Sequence, residues 1–549
     1  MLFPTFDFLL FIVPVLLLAW AFSRVSAIRI PLLIAASYFF YMAGPLTDPL
    51  PAPWYFAGLL VISTVLDFTA AKQIHRHNKD LGSDDAAIAD RARRVRNFWL
   101  GLSLVGNLGL LAYFKYTNFL LAAFSDVLGA CGLEIVAPHL QLILPVGISF
   151  YTFQTLSYTI DVWRRRLTPE PSFKKFALFV VFFPQLVAGP IVRASELLPQ
   201  LHKRPQISAE ALKFGLFRVF KGLVKKVVLG DWIAASFTDA VFAAPGTYSS
   251  AELLLALYAF TLQLYADFAG YSDIAIGISR MLGYQIPENF DRPYQARDLG
   301  EFWRRWHMTL STWLRDYLFF PLGGSRGSAM RTYFNLWLTM FLVGMWHGAS
   351  WNFVIYSNIH ALAMVFNRWN RLRRRGPWTP QKAALALVGL ALFTSLVYLF
   401  SLEILGLGQE PAQILAGSGL LLFVLISWLP DSGSPLNTAA HVLLTFHFTV
   451  LSRVFFRADG LGSSRELISG LLAFDGRGLR DGLLSPWLWL ALVGGLAYHF
   501  TPRRFVDEYG LAIWRRIPGV LLGVLFALLC LGIMKLMSGA PKAFIYFQF

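Results

Sequence analysis

Apolar stretches close to 20 residues long alternate with short polar ones along almost the whole chain, the spacing of helices that cross a hydrocarbon layer about 30 Å thick. Read in order, they predict spans near 2–22, 30–44, 54–71, 98–124 and 140–162. Residues 176–192 are apolar but broken by Pro184, Gly189 and Pro190. That pattern predicts a re-entrant segment, because irregular backbone survives at membrane depth only where protein or a water-filled cavity covers it. Residues 209–226 scatter Lys213, Arg218, Lys221, Lys225 and Lys226 among Leu, Phe and Val, as an amphipathic helix at the cytoplasmic interface does. Spans near 228–244 and 251–283 follow. The second carries Gln263, Tyr265, Asp267, Tyr271 and Asp273 and is expected to line a cavity. Residues 284–330 are polar, aromatic and rich in Arg, and read as an insertion on the cytoplasmic side. Two spans at 331–346 and 351–367 come next, then five more near 382–402, 412–429, 438–456, 485–501 and 517–537. The fold class predicted is an all-α polytopic membrane protein of about 11–14 transmembrane and re-entrant helices. Residues 1–549 read as a single membrane-embedded domain without internal repeat, with 541–549 as a C-terminal extracytoplasmic tail.

Charge orients this array. Basic residues crowd the stretch 72–97 (Lys72, Arg76, Lys79, Arg91, Arg93, Arg94, Arg96) and 164–175, whereas 45–53 and 125–139 contain no Lys or Arg. Cytoplasmic loops carry the excess of Lys and Arg, so the N-terminus is expected outside. Arg503, Arg504, Arg515 and Arg516 hold the last loop inside, which leaves the C-terminus outside as well. In a bacterial inner membrane both termini are then periplasmic. The same asymmetry accounts for the net charge of +16 without a nucleic-acid partner; the lipid bilayer is the partner it implies. Only 15% of residues are charged, against about a quarter in soluble domains. The apolar start, Met1 to Phe22, lacks a basic n-region and a small-residue cleavage motif and reads as the first span. Two distant cysteines, Cys131 and Cys530, define neither a disulfide framework nor a metal site.

Two histidines stand where an apolar chain should avoid them. His347 ends the run Leu336 to Trp346, and His307 follows Trp306. Ionisable groups at membrane depth are costly and mark function. Arg304, Arg305, Arg315 and Asp316 frame the pair. Histidine is the commonest general base near neutrality. One imidazole can deprotonate a hydroxyl for attack on a thioester, while the second orients substrate or stabilises the oxyanion. Arginines at the cytoplasmic rim suit the phosphates of a nucleotide-containing donor. Trp303, Trp306, Trp313, Trp346 and Trp351 are candidates to line an apolar tunnel, although ordinary packing explains tryptophans equally; Asn352 joins the donor and tunnel candidates. No HExxH, CxxC or carboxylate–histidine spacing accompanies the histidines, so no metal and no bound cofactor is expected. GxSxG is missing, and Gly323-Gly324-Ser325-Arg326-Gly327 lacks the ending of a P-loop and reads as a turn. A transporter is the competing class, supported by the polar span and the broken segment but not by an inverted repeat.

Several stretches together resemble the membrane-bound O-acyltransferase family, in the bacterial branch that includes the alginate O-acetylation protein and the teichoic acid D-alanylation protein. They are PVGISFYTFQTLSYTIDVWR (145–164), FFPQLVAGPIVR (182–193), YADFAGYSDIAIGISRMLGY (265–284), NFDRPYQARDLGEFWRRWHMTLSTWLRDYLFFPLGG (289–324), MWHGASWNF (345–353) and VFFRAD (454–459). The resemblance implies a ring of helices around a central funnel or tunnel, with His347 as the essential histidine and His307 as the second. It implies acetyl-CoA as a donor substrate, and an exported polysaccharide, alginate first, as acceptor through a periplasmic SGNH-type acetyltransferase or relay protein; peptidoglycan or cellulose as acceptor, and direct acylation of a lipid or protein, are the alternatives. The terminal Phe544-Ile545-Tyr546-Phe547-Gln548-Phe549 is similar to the end hexapeptide of such systems. That similarity makes Tyr546 the candidate acyl carrier, an aromatic interface anchor being the simpler alternative.

Overall fold

A computed structural model describes residues 3–43, 55–133, 135–187, 189–374, 394–395, 397–415, 417–418 and 434–536. Helices account for the regular structure among these residues, with no strand. Most predicted spans coincide with helices: Phe6–Ala21, Ser26–Met42, Tyr55–Arg76, Ala86–Ala130, Ile148–Trp163, Ser250–Met281, Ala329–His347, Trp351–Arg374, Pro435–Arg457, Pro486–Phe500 and Gly519–Leu536; the one expected near 228–244 is instead divided into Val224–Trp232, Ala234–Thr238 and Asp239–Ala243. Four described helices are long and apolar enough to cross a membrane on their own, or up to five if one bent pair counts as a span. The chain is a multi-pass membrane protein. Exposed Phe6, Leu10, Val13 and Leu17 form a stripe on the first helix, as do Leu521, Val524, Leu528 and Leu531 on the last, the i, i+3, i+4 face that lipid requires. Most of the predicted spans 382–402 and 412–429, and the tail with Tyr546, lie outside the described residues.

The described chain forms two compact units, each discontinuous in sequence. The first is drawn from Met1–Lys226, Phe268–Asn289 and Arg504–Gln548. In it Tyr55–Arg76, Ala86–Ala130 and Ile148–Trp163 pack together around Asp67, which is fully buried. A buried carboxylate is costly unless hydrogen-bonded. Neutral donors from the two neighbouring helices meet that demand: Ser103 Oγ at 2.5 Å, Asn107 Nδ2 at 2.9 Å and Thr159 Oγ1 at 3.2 Å. The Ala86–Ala130 helix runs about 67 Å at 1.5 Å per residue, more than twice the hydrocarbon thickness, which accommodates its charged start outside the bilayer.

The broken segment is a helix, Phe173–Val181, a sharp change of direction at Phe182, and a single turn, Phe183–Leu186. Side chains complete the hydrogen bonds that the break interrupts. The Phe179 carbonyl accepts from Gln154 Nε2 at 2.6 Å and Gln185 Nε2 at 2.7 Å, and the Phe183 N–H donates to Ser37 Oγ at 3.2 Å. The irregular backbone is thus covered by protein.

The basic segment makes ion pairs that its amphipathic pattern alone did not reveal. The Ala209–Leu223 helix crosses the Phe268–Met281 stretch so closely that a Cβ on Gly222 would sit 2.7 Å from the Gly270 carbonyl oxygen, the close approach that glycine permits between membrane helices. Three cations of the segment face carboxylates. Arg218 reaches Glu288 through both terminal nitrogens (2.7 and 2.8 Å) and Asp273 at 2.5 Å; Lys225 meets Asp273 at 2.9 Å and Lys221 meets Asp507 at 2.7 Å. The reason is Asp273, a buried charge in an apolar run that is tolerable only when paired.

The second unit is drawn from Val227–Asp267 and Phe290–Arg503. Its centre is the hairpin of Ala329–His347 and Trp351–Arg374, with Pro435–Arg457 against the latter. Ser328 caps the first arm by accepting the Arg331 N–H. The arms approach so closely that a Cβ on Gly344 would lie 2.7 Å from Ser357 Cα. Gln263 accepts from Thr238 Oγ1 at 2.6 Å.

Candidate functional site

The site lies in the second unit, and the polar stretch 290–307 is built to present His307. Arg292 starts it with a left-handed backbone, φ +46°. Its guanidinium donates to the carbonyls of Tyr498 (2.9 Å), His499 (3.2 Å) and Thr501. These are end carbonyls of Pro486–Phe500, which have no partner within the helix and favour a cation. Beside it the Tyr294 N–H donates to His499 Nε2 at 3.1 Å and the Tyr294 hydroxyl to the Thr261 carbonyl at 2.7 Å. Asp298 then caps the short helix Leu299–Arg305 by accepting the Glu301 N–H at 2.9 Å. The same carboxylate takes Asn367 Nδ2 at 3.0 Å and Arg371, which pins this helix to Trp351–Arg374. Those bonds hold the Asp298 carboxyl below its ordinary range in spite of its burial. The chain leaves the helix at Trp306, and His307 adopts φ +44°, ψ +55° before Met308–Leu314 begins. For a residue with a Cβ this conformation costs about 1–2 kcal/mol and persists only where surrounding contacts impose it.

Both histidines are buried, His307 at 0% and His347 at 1% exposure. Their imidazoles contact the same indole: Trp346 lies edge-on to His307 at 5.4 Å and to His347 at 5.2 Å between ring centroids. His347 further meets Phe456 at 5.6 Å and Tyr356 at 6.4 Å. Burial pulls the His307 imidazole down to about 3, so at neutral pH it is uncharged and offers one donor and one acceptor. Next to His307 in the chain, Trp306 packs among Phe302, Tyr294 and Phe290 and is stacked on Phe302 at 5.6 Å.

Of the residues singled out in the sequence, Trp303, Trp306, His307, Trp346 and His347 come together in this buried cluster; Trp303 packs against Phe302 and against His360 at 5.6 Å. Asn352 is buried and ties two elements, donating to the Ala458 carbonyl at 2.8 Å and accepting from Ser464 Oγ at 3.3 Å. The charged frame lies further out. Arg304 is exposed. Arg305 is engaged by Glu301 at 2.8 Å and the Asp291 carbonyl at 3.2 Å. Arg315 and Asp316 pair with each other at 2.7 Å, with Arg315 half-exposed. Gly323 and Gly324, both at positive φ, form the turn read from the sequence. Among the described residues no three His, Cys, Asp or Glu side chains group as a metal ion would require.

Sequence reasoning passed over Arg453, Tyr356 and His360. Arg453 is 1% exposed, and its guanidinium lies over Trp306 (5.2 Å) and Phe456 (5.2 Å) while donating to the Tyr356 hydroxyl at 3.0 Å. The signal was present: a lone Arg inside the apolar run 442–456 is as improbable as a lone His.

Comparison with known proteins accords with this arrangement. Residues 159–407 match the model of the membrane-bound O-acyltransferase family. A probable alginate O-acetylase of Pseudomonas aeruginosa is 39% identical over 369 residues, covering 67% of this chain and 66% of that protein, just under two thirds of its length. A peptidoglycan O-acetyltransferase of Helicobacter pylori is 31% identical over 473 residues, covering 81% of this chain and 74% of that protein. A teichoic acid D-alanyltransferase of Bacillus subtilis is 31% identical over 258 residues, or 44% of this chain and 64% of that protein. All three matches join a family already indicated by the buried histidine pair and the motifs around it: the chain belongs to the membrane-bound O-acyltransferase family.

Proposed function

We propose that the protein is an O-acetyltransferase of the bacterial inner membrane that takes acetyl from acetyl-CoA at the cytoplasmic face and delivers it outward for O-acetylation of an exported polysaccharide, alginate first. The observation that carries this reading is the pair of buried imidazoles on one indole, His307 and His347, in a chain whose relatives include alginate O-acetylases. His347 acts as the base: it takes the proton of the attacking hydroxyl as that oxygen bonds to the acyl carbon. His307, held neutral, orients the substrate. The acetyl group passes to Tyr546 of the tail or directly to a periplasmic SGNH-type transferase, and both chain ends lie in the periplasm. A phenol is a poor nucleophile at its usual pKa near 10, so Tyr546 serves as carrier only beside such a base.

The test is acetyl consumption and polymer acetylation by full-length protein in proteoliposomes supplied with labelled acetyl-CoA. The variant His347→Ala is expected to abolish acetyl turnover; normal turnover at normal folding would refute the assignment. Tyr546→Phe is expected to stop polymer acetylation with the fold intact, and full acetylation rejects the carrier role. A second acceptor, peptidoglycan, is favoured by the Helicobacter pylori relative, which aligns with 81% of the chain. Label recovered in the sacculus rather than in alginate selects it.

A further inference from the structure

Tyr356 has lopsided bonding. It is 1% exposed, and its oxygen accepts a hydrogen bond from Arg453 Nη1 at 3.0 Å. A guanidinium has no lone pair to return, so this bond occupies a lone pair of the phenol and directs its proton elsewhere. Among the described residues Arg453 is the sole hydrogen-bond partner of that oxygen. Buried donors are almost always paired, and leaving one unpaired costs stability. The neighbouring His360 makes no hydrogen bond to that hydroxyl among the described residues. Its Nε2 faces Ser452 Oγ at 3.1 Å, and Ser452 gives its own proton to the Thr449 carbonyl at 2.8 Å. Nε2 therefore carries the hydrogen, and Nδ1 is a lone pair with no hydrogen-bond partner among the described residues. The Tyr356 and His360 rings lie 4.5 Å apart, tilted by 51°. His347 also lies edge-on to Tyr356, at 6.4 Å, with Phe456 against both at 5.2 and 5.6 Å.

We propose that Tyr356 is a catalytic hydrogen-bond donor to the acyl carbonyl of a thioester donor, and that Arg453 is the positioning residue that fixes and polarises its phenol. This rests on the acyl-transfer reading above. As the acceptor oxygen bonds to the acyl carbon, His347 takes its proton and the carbonyl π pair moves onto oxygen. The Tyr356 O–H holds that oxyanion. On collapse the C–S bond breaks, and the thiolate leaves with the proton returned from the His347 imidazolium. The phenol keeps its proton throughout, and a hydrogen bond from a charged donor strengthens it as a donor in turn.

Three variants of the full chain in proteoliposomes test this, with acetyl-CoA as probe. Tyr356→Phe is expected to lower kcat by about 10²–10³ while the donor KM changes less than about threefold and the thermal midpoint is retained. Arg453→Lys, which keeps the charge but loses the directed N–H, is expected to lower kcat without raising KM. Fluorinated tyrosines introduced at position 356 are expected to change kcat in step with phenol acidity, which a packing role does not produce. A flat fluorotyrosine series, or a Tyr356→Phe variant that matches the parent's kcat, overturns the assignment while the parent's activity upholds acyl transfer. A parent that transfers no acetyl sinks both.

Discussion

Gly344 sets where His347 sits. In the Ala329–His347 helix it lies one turn before the histidine, against Ser357 of the returning Trp351–Arg374 helix. A methyl group added there would meet Ser357 Cα and Cβ at 2.7 Å, and the Ser357 hydroxyl closer still. Carbon atoms rest at about 3.5–4.0 Å, and the Cα cannot rotate away, so Gly344→Ala must part the two helices by about 1 Å. Overpacking of this size costs about 1–3 kcal/mol. A 1 Å misplacement of a reacting group costs about 10²-fold in rate. The expected result is therefore a protein that still accumulates in the membrane, with a modestly lowered thermal midpoint, and transfers acetyl about a hundredfold more slowly. The assay is initial-rate transfer of labelled acetyl from acetyl-CoA, normalised to folded protein by fluorescence-detected gel filtration. Gly58→Ala is the control, because a Cβ there meets nothing within 4 Å and alanine is the better helix former by about 0.5–1 kcal/mol. A Gly344→Ala protein within threefold of the parent would refute the link between helix separation and histidine placement.

Acid sensitivity follows from His307. Its folded pKa, about 3, lies below the ordinary value near 6.5, so the neutral form's stability is present above pH 6.5 and is lost as pH falls toward 3. The loss is about 1.4 kcal/mol per pH unit below pH ~6, and thermal midpoints across pH 4.5–7.5 should show it; His307→Gln should flatten that slope. Asp273→Asn removes the carboxylate shared by Arg218 and Lys225. Stranding those buried cations is expected to cost about 3–5 kcal/mol and to deplete folded protein in membranes, whereas Glu288→Gln, at the half-exposed edge of the network, should cost less.

The helical array was legible because hydrocarbon thickness fixes span length. The break at Pro184 was legible too, but not its completion by Gln154 and Ser37, which are distant in sequence. The ion pairs of the basic run 213–226 were not legible, because Asp273 and Asp507, its counter-charges, come from remote segments. At the site, the histidines announced themselves by their cost in an apolar run. Arg453 announced itself in the same way, but it stands beside Arg457 and the polar end of its helix, where a cation looks ordinary. Tyr356 carried no signal, since a tyrosine in a span suggests nothing until the guanidinium above it is seen.

The latch at Arg292 has a consequence for how this chain can change over time. Its guanidinium grips main-chain oxygens at 498, 499 and 501, so side chains there can be exchanged without loosening the grip. What the grip does require is the path of the backbone: an insertion, a deletion or a displaced helix end in that segment would release the loop that presents His307, some two hundred residues away. Mutational tolerance around 498–501 should therefore be severe toward any change in length and more generous to substitution, with His499 the exception, because its buried imidazole accepts the Tyr294 N–H.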